Sequence, residues 1–256
     1  MIKRIFYTVL VMGIFLGISS SVLADENQDI KKITSVLSKL MPKAKPDSIK
    51  PAVIPGMYEA VFGPQVVYVS KDGRYVLEGD LYDLTTRTNL TDIRRRSGRE
   101  KVIAAVDPST MIDFAPKKVK YTITAFTDID CAFCRKLHKH MAAYNKLGIE
   151  FRYLSFPRSG VNTPSFYKAV SVWCAKDRKK AITFAKGGAR LKQIQELAQV
   201  KGKDCRSIIL NHMQAAKEVG VTGTPTLVLS NGQVIPGYVE PDRLIKILDQ
   251  MKDTKS

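Results

Sequence analysis

Between residues 119 and 144 the apolar pattern changes its period, and the change falls on the step Cys131-Ala132-Phe133-Cys134. Val119, Tyr121, Ile123 and Ala125 alternate with polar residues, which is the period of a strand. Phe133, Leu137, Met141 and Tyr144 then follow helical spacing until Gly148, a natural C-cap. Both cysteines therefore stand where a strand gives way to a helix. Residues 149–156 read as a second strand. Residues 165–219 read as a long helical stretch broken at Gly187-Gly188 and Gly202. Residues 226–230 and 234–239 flank Asn231-Gly232, a strong hairpin signal. Pro241 opens a last helix with Leu244, Ile245, Leu248 and Met251 on one face. The order is β-α-β, a helical insertion, then β-β-α. A β-α-β crossover demands parallel strands and a hairpin antiparallel ones, so the predicted sheet is mixed. A CxxC opening the first helix of such an order is the setting of a thioredoxin-like redox motif.

The N-terminus sets the expected redox compartment. Lys3 and Arg4 precede an uncharged apolar stretch from residue 5 to 18, followed by Ser19, Ser20, Ser21, Val22, Leu23 and Ala24. That is the build of a cleaved secretory leader over residues 1–24; a membrane anchor needs a longer apolar run, and the serine triplet cuts this one short. The mature chain is expected to start at Asp25, in a space where disulfides persist. The formal net charge of +17 is spread along the chain. With export, it reads as a solvated basic surface rather than a nucleic-acid site.

Residues 25–88 have a different texture. Ile30, Ile33, Val36, Leu37 and Leu40 fall at helical spacing, ended by Pro42 and Pro46. Residues 58–62, 66–70 and 74–82 are short β-prone runs punctuated by Gly63-Pro64 and Asp72-Gly73, so an antiparallel meander is predicted. Such a unit is marginal alone and holds no cysteine to staple it, while an exposed strand edge invites a second copy. Residues 89–117 read as a connector, with Thr91 capping a helix that Asp107-Pro108 stops and Arg94, Arg95 and Arg96 on a solvated face.

All four cysteines, Cys131, Cys134, Cys174 and Cys205, lie beyond the connector. An even count in an exported chain points to two disulfides. Thiol–disulfide exchange needs an attacking thiolate and a second thiol that resolves the mixed disulfide. At a helix N-terminus Cys131 meets unpaired N–H groups and the positive end of the dipole. Arg135 and Lys136 add positive potential, Asp128 and Asp130 oppose it, and Cys134 lies one turn deeper. A zinc reading uses Cys131, Cys134 and His138, but a structural zinc site shows two ligand pairs and only one is present, so no metal or cofactor is expected. His138 and His140 read as solvent-facing helix residues. A purely structural Cys131–Cys134 bridge closes too short a loop to explain itself by stability. Cys174, in the apolar run beside Trp173, reads as a structural bridge to Cys205. In "GVTGTPTLVLSNG" Pro225 directly precedes a strand. In a thioredoxin-like order it would be cis and beside the CxxC, with backbone groups free to pair with a substrate strand.

Taken in order, "FTDIDCAFCRKLH", "VWCAKD" and "GVTGTPTLVLSNGQVIPGY" resemble the DsbC/DsbG family of bacterial periplasmic disulfide isomerases. "VFGPQVVYVSKDGRYVLEGDLYDL" resembles the family's dimerisation domain. The resemblance implies a small antiparallel-sheet dimerisation domain at 25–88, a linker helix within 89–117 and a thioredoxin-like catalytic domain with a helical insertion at 118–256. It implies Cys131 as nucleophile, Cys134 as resolving thiol, and Thr224-Pro225 with Phe133 as substrate contacts. Cys174–Cys205 matches the family's structural disulfide. The implied partners are a second copy of the chain, misoxidised or unfolded exported proteins, and a membrane electron donor of the DsbD type. The implied work is reshuffling of wrong disulfides with retention of the substrate. The alternatives are a disulfide-donating oxidase and a holding chaperone that needs no thiols. The dipeptide Ala132-Phe133 departs from the family's Gly-Tyr and Pro-Tyr and keeps an aromatic second residue.

Overall fold

The computed structural model describes residues 18–198 and 205–253, with side chains from 26 to 251. The expected leader and its cleavage point fall outside the residues whose side chains are described. So does the helix break expected at Gly202. The chain divides into two compact units, residues 1–94 and 95–256.

In the first unit, helix α1 (Ile18–Leu40) packs on an antiparallel sheet ordered β1 (Ser48–Pro51), β2 (Met57–Phe62), β3 (Gln65–Ser70), β4 (Val76–Glu78). Ile33 and Leu37, one turn apart, bury against Tyr58, Ala60, Val67 and Val69. Tyr58 and Ala60 share one face of β2, as do Val67 and Val69 on β3, so the alternation chooses the side the helix covers. The Tyr58 hydroxyl donates to Asp29 on the helix at 2.7 Å. A short ribbon, β5 (Tyr82–Asp83) with β6 (Thr88–Asn89), leads into helix α2 (Leu90–Ala105). The cap of α2 differs from the predicted one. Asn89, not Thr91, accepts from the Asp92 N–H (2.8 Å). Thr91 is buried, its hydroxyl shared with the Tyr68 hydroxyl (2.6 Å) and the Leu81 N–H (2.8 Å). Tyr75, Val76, Leu77, Tyr82 and Leu84 leave apolar side chains exposed on and around β4.

The second unit is built on a five-stranded mixed sheet. β8 (Tyr121–Thr127) and β9 (Ile149–Ser155) are parallel, joined through α3 (Ala132–Lys139) and α4 (Met141–Lys146). β10 (Thr226–Leu229) lies antiparallel to β8 and to β11 (Val234–Pro236), so the predicted hairpin forms. The far edge is β7 (Ile112–Phe114), antiparallel to β9. This strand lies in the stretch read as connector; three residues are too few to show a period. The predicted long helical stretch is four helices: α5 (Pro164–Cys174), α6 (Arg178–Lys186), α7 (Leu191–Ala198) and α8 (Arg206–Val219). Asp177 caps α6 by accepting from the Lys180 N–H, a break that sequence reading ran through. α9 (Pro241–Asp253) closes the chain, with Leu244 and Leu248 in the core. Trp173 is the largest fully buried side chain, and its indole N–H reaches the Thr110 carbonyl at 2.8 Å.

Gly232 is fixed twice over. Its φ of +71° suits the tight turn, and a Cβ there would stand 2.1 Å from the Arg96 carbonyl oxygen. We predict that Gly232→Ala destabilises the chain by about 1–3 kcal/mol through backbone strain and the displaced helix. Urea unfolding measures it, and a midpoint equal to the parent's would refute the claim.

Candidate functional site

β8 ends at Thr127, and the next four residues turn the chain into α3. Asp128 organises that turn. It is buried, and its carboxylate accepts from the Asp130 N–H (2.9 Å), the Arg158 N–H (3.1 Å), Arg158 Nε (3.2 Å) and the Ser165 hydroxyl (2.7 Å). Burial opposes ionisation, but these hydrogen bonds outweigh it and hold the carboxyl below its ordinary range. The result is a fixed turn that delivers Cys131 to the N-cap of α3, with extended backbone and its carbonyl accepting the first helical bond from Arg135 (3.0 Å).

Cys131 and Cys134 are both thiols and both buried, at 2 % and 1 % exposure. Their environments are opposite. Cys131 is drawn down to about 5, first by the hydrogen bond from the Cys134 thiol, and further by the Cys134 N–H and the Arg158 charge, against the cost of burial. Cys134 is pushed far up, first by burial and then by its bond to Cys131. One sulfur is set to be an anion at neutral pH and the other to keep its proton. Cys131 Sγ also lies 3.2 Å from the Thr224 carbonyl oxygen, and the Thr224–Pro225 peptide is cis. Ala132 and Phe133 face outward, Phe133 with 62 % of its surface exposed. The structure thus brings together the CxxC, Phe133 and the Thr224-Pro225 loop.

Cys174 and Cys205 are joined in a disulfide with Cα atoms 5.6 Å apart, closing a separation of 31 residues between the end of α5 and the start of α8. A loop of that length corresponds to roughly 3–4 kcal/mol in the chain-entropy model.

Several side chains stand elsewhere than expected. Arg135 and Lys136 are spent on other partners: Arg135 on Asp130 (3.1 Å) and the Ile129 carbonyl (3.0 Å), Lys136 on Glu240 (2.9 Å). A cation that favours the Cys131 anion is Arg158, contributed by the loop after β9 and held beside it by Asp128, which nothing in the sequence marks. His138 is not solvent-facing. Its ring meets Phe114 edge-on at 5.2 Å, Nε2 lies 3.0 Å from the Thr183 hydroxyl, and Nδ1 lies 3.4 Å from the Tyr153 hydroxyl. Burial, and then the Lys186 charge, bring it down to about 4. Its ring nitrogens thus face hydroxyls rather than the cysteine sulfurs. His140 is partly exposed and hydrogen-bonded to Tyr238. Lys186, at the end of α6, is buried behind Cys134 with its amine on the Thr127 hydroxyl (2.8 Å).

Comparison with known proteins bears on both units. Residues 21–92 match the family model described as "Disulfide bond isomerase protein N-terminal domain", and residues 108–252 match "Thioredoxin-like domain". The thiol:disulfide interchange protein DsbC of Escherichia coli K12 is 36 % identical over 208 residues, covering 80 % of this chain and 82 % of that protein. The Haemophilus influenzae protein of the same name is 32 % identical over 249 residues, covering 97 % and 98 %. Among solved structures, a linker-deletion mutant of Proteus mirabilis ScsC matches 62 % of this chain and 83 % of that one, at a TM-score of 0.51 and 18 % identity. That last likeness speaks to the fold alone.

The electrostatics give a direct expectation. In the reduced protein, thiolate absorbance at 240 nm should appear with a midpoint near pH 5 and vanish in Cys131→Ser. Arg158→Met should move the midpoint upward, because removing a cation disfavours the anion. A parent midpoint near the ~8.5 of free cysteine would overturn the assignment.

Proposed function

Because this chain belongs to the DsbC family of thiol:disulfide interchange proteins, we propose that it is an exported, homodimeric disulfide isomerase working in the periplasm. The observation that carries the reading is the split between the two thiols: a Cys131 held as thiolate at a helix N-terminus, and a Cys134 buried and protonated behind it. The Cys131 thiolate attacks a wrong disulfide in a substrate chain and forms a mixed disulfide, releasing one substrate sulfur as a thiolate. That thiolate attacks another substrate disulfide, the sulfur freed there attacks the substrate sulfur bound to Cys131, and the substrate leaves reshuffled as Cys131 departs as a thiolate. Alternatively Cys134 attacks Cys131, the protein keeps the disulfide, and the substrate leaves reduced. The second route consumes two electrons, so a reductant must restore the dithiol; a membrane donor of the DsbD type fits that need.

Thr224 and Pro225 sit beside Cys131, and Phe133 presents an apolar ring at the rim. In this reading the loop takes up the substrate backbone as an added strand and Phe133 contacts its apolar side chains. Cys174–Cys205 staples the insertion and takes no part in exchange. The exposed apolar residues on and around β4 support pairing of the first unit with a second copy. Two linked sites raise the effective concentration of a bound chain near each thiol, which reshuffling needs and simple reduction does not. The low Cys131 value favours the same residue as a leaving group, which a disulfide donor also exploits. The redox state in the cell therefore separates isomerase from oxidase.

Two experiments check this. Cys134→Ser should accumulate mixed disulfides with exported proteins through Cys131, while Cys131→Ser should accumulate few. Equal trapping by both would dismiss the assignment of roles. Sedimentation of the full-length protein should give a dimer, and Leu77→Lys should weaken it. That variant should reduce small disulfides at the parent rate but refold a scrambled substrate at least about tenfold more slowly, the loss expected when retention by a second site goes. A monomeric parent, or a monomeric variant that isomerises normally, would take the dimer out of the mechanism.

A further inference from the structure

Lys186 has no part in the exchange as described, yet its position is costly. It is 4 % exposed, and its amine donates to the Thr127 hydroxyl (2.8 Å) and the Asp128 carbonyl (3.3 Å) and lies 5.5 Å from the centre of the Tyr153 ring. None of these groups is an anion. Among the described residues no carboxylate pairs with it, and the Asp128 carboxylate is already filled by Arg158, Ser165 and backbone N–H groups. An ammonium placed in such a pocket with no counter-charge in contact is disfavoured, and a methionine would fill the space without that cost. The group that stands to become an anion there is Cys134. The Thr127 hydroxyl, which accepts the hydrogen bond from Lys186, also bears on Cys134 and favours its anion.

We propose that Lys186 is the proton-sharing charge partner of the resolving sulfur, acting on Cys134 through the Thr127 hydroxyl. It is a positioning residue: it touches neither substrate nor the attacked bond. The inference rests on the assignment of Cys131 as attacking thiol and Cys134 as resolving thiol. In the mixed disulfide, Cys134 passes its proton by way of Thr127 to the neutral Lys186 amine, leaving a thiolate beside an ammonium. The thiolate attacks Cys131 Sγ. The Cys134–Cys131 bond forms and the bond from Cys131 to the substrate sulfur breaks. The substrate sulfur leaves with the electron pair and takes a proton from water. The two protein thiols are oxidised as the substrate disulfide is reduced. With Cys134 no longer anionic, the buried ammonium has no partner and gives its proton to solvent.

The surroundings suit that sequence. Burial brings Lys186 down to about 8, while Cys134, Asp128 and Cys131 draw it up and Arg135 pushes it down. Forming the mixed disulfide removes the Cys131 charge that helps hold the Lys186 proton, so the amine is a weaker base but more of it stands neutral at the step that needs a free acceptor. The other titratable groups facing it do not compete. His138 is neutral at pH 7, Tyr153 is held far above its ordinary value by burial, and Arg135 is bonded to Asp130.

The test follows both thiols of the full-length reduced protein reacting with excess 5,5′-dithiobis(2-nitrobenzoate). The first release of thionitrobenzoate reports attack by Cys131 and scales with reagent. The second reports attack by Cys134 on the mixed disulfide and does not. Lys186→Met should leave the first release within about twofold of the parent. It should slow the second at pH 7 by about tenfold or more and move its pH midpoint up by about one unit or more, the size of a lost charge partner. Thr127→Val, which keeps the charge but removes the relay, should slow the second release as well and gives the answer if the lysine variant does not fold. A second release with parental rate and midpoint in either folded variant would overturn the proposal, as would equal slowing of both releases. A parent in which Cys131→Ser still shows the fast first release would instead overturn the assignment of the two thiols.

Discussion

A single buried carboxylate holds the exchange site in register. Asp128 accepts hydrogen bonds from its own turn, from the loop after β9 and from the first turn of α5. The turn lies 30 and 37 residues from Arg158 and Ser165 in sequence, and through the carboxylate all three segments share one point of contact. The carboxylate keeps its charge because the donors outweigh its burial. That charge in turn fixes the Arg158 guanidinium where it favours the Cys131 thiolate. An apolar residue at 128 would leave four donors without this acceptor, and a donor left buried and unpaired costs about 1–3 kcal/mol. Turn geometry and thiolate stabilisation are thus one arrangement, not two.

The strand–helix alternation of the second unit was legible because its period changes sharply at Cys131 and because Asn231-Gly232 and Pro241 punctuate the rest. The two cysteine pairs and the Thr224-Pro225 loop were legible for the same reason: each is marked by a residue type whose chemistry is local. What escaped was whatever depended on distant packing. β7 is three residues long and shows no period, so it passed for connector. Missing it meant missing Phe114, the ring that walls in His138. With that wall absent from the reading, a histidine on a basic helix looked like a surface residue. Arg158 and Lys186 were hidden in a similar way. Nothing in the sequence separates a lysine that ends a helix in solvent from one that ends it behind a sulfur. The cap of α2 failed for a subtler reason: Asn89 and Thr91 are both good caps, and only the buried Tyr68 hydroxyl decides between them.

The first unit shows how far a small core goes without staples. One face of α1 and one face of two strands supply its apolar contacts, and the buried Tyr58–Asp29 and Tyr68–Thr91 bonds add direction rather than bulk. Next to that core, β4 and the residue before it turn three apolar or aromatic side chains outward, Tyr75, Val76 and Leu77. A cytosolic designer would remove them as an aggregation hazard; a chain that presents them to a second copy uses them as adhesive.

α6 belongs to the helical insertion, and Lys186 is its last residue, yet its amine ends behind the sulfur pair. The surface of the candidate site and its interior wall therefore come from different parts of the chain. Ala132-Phe133 meets the outside; the insertion lines the inside. A lineage that altered the insertion would change the chemistry of the buried thiol while leaving the four-residue motif letter-perfect, and two relatives with identical motifs need not be interchangeable enzymes.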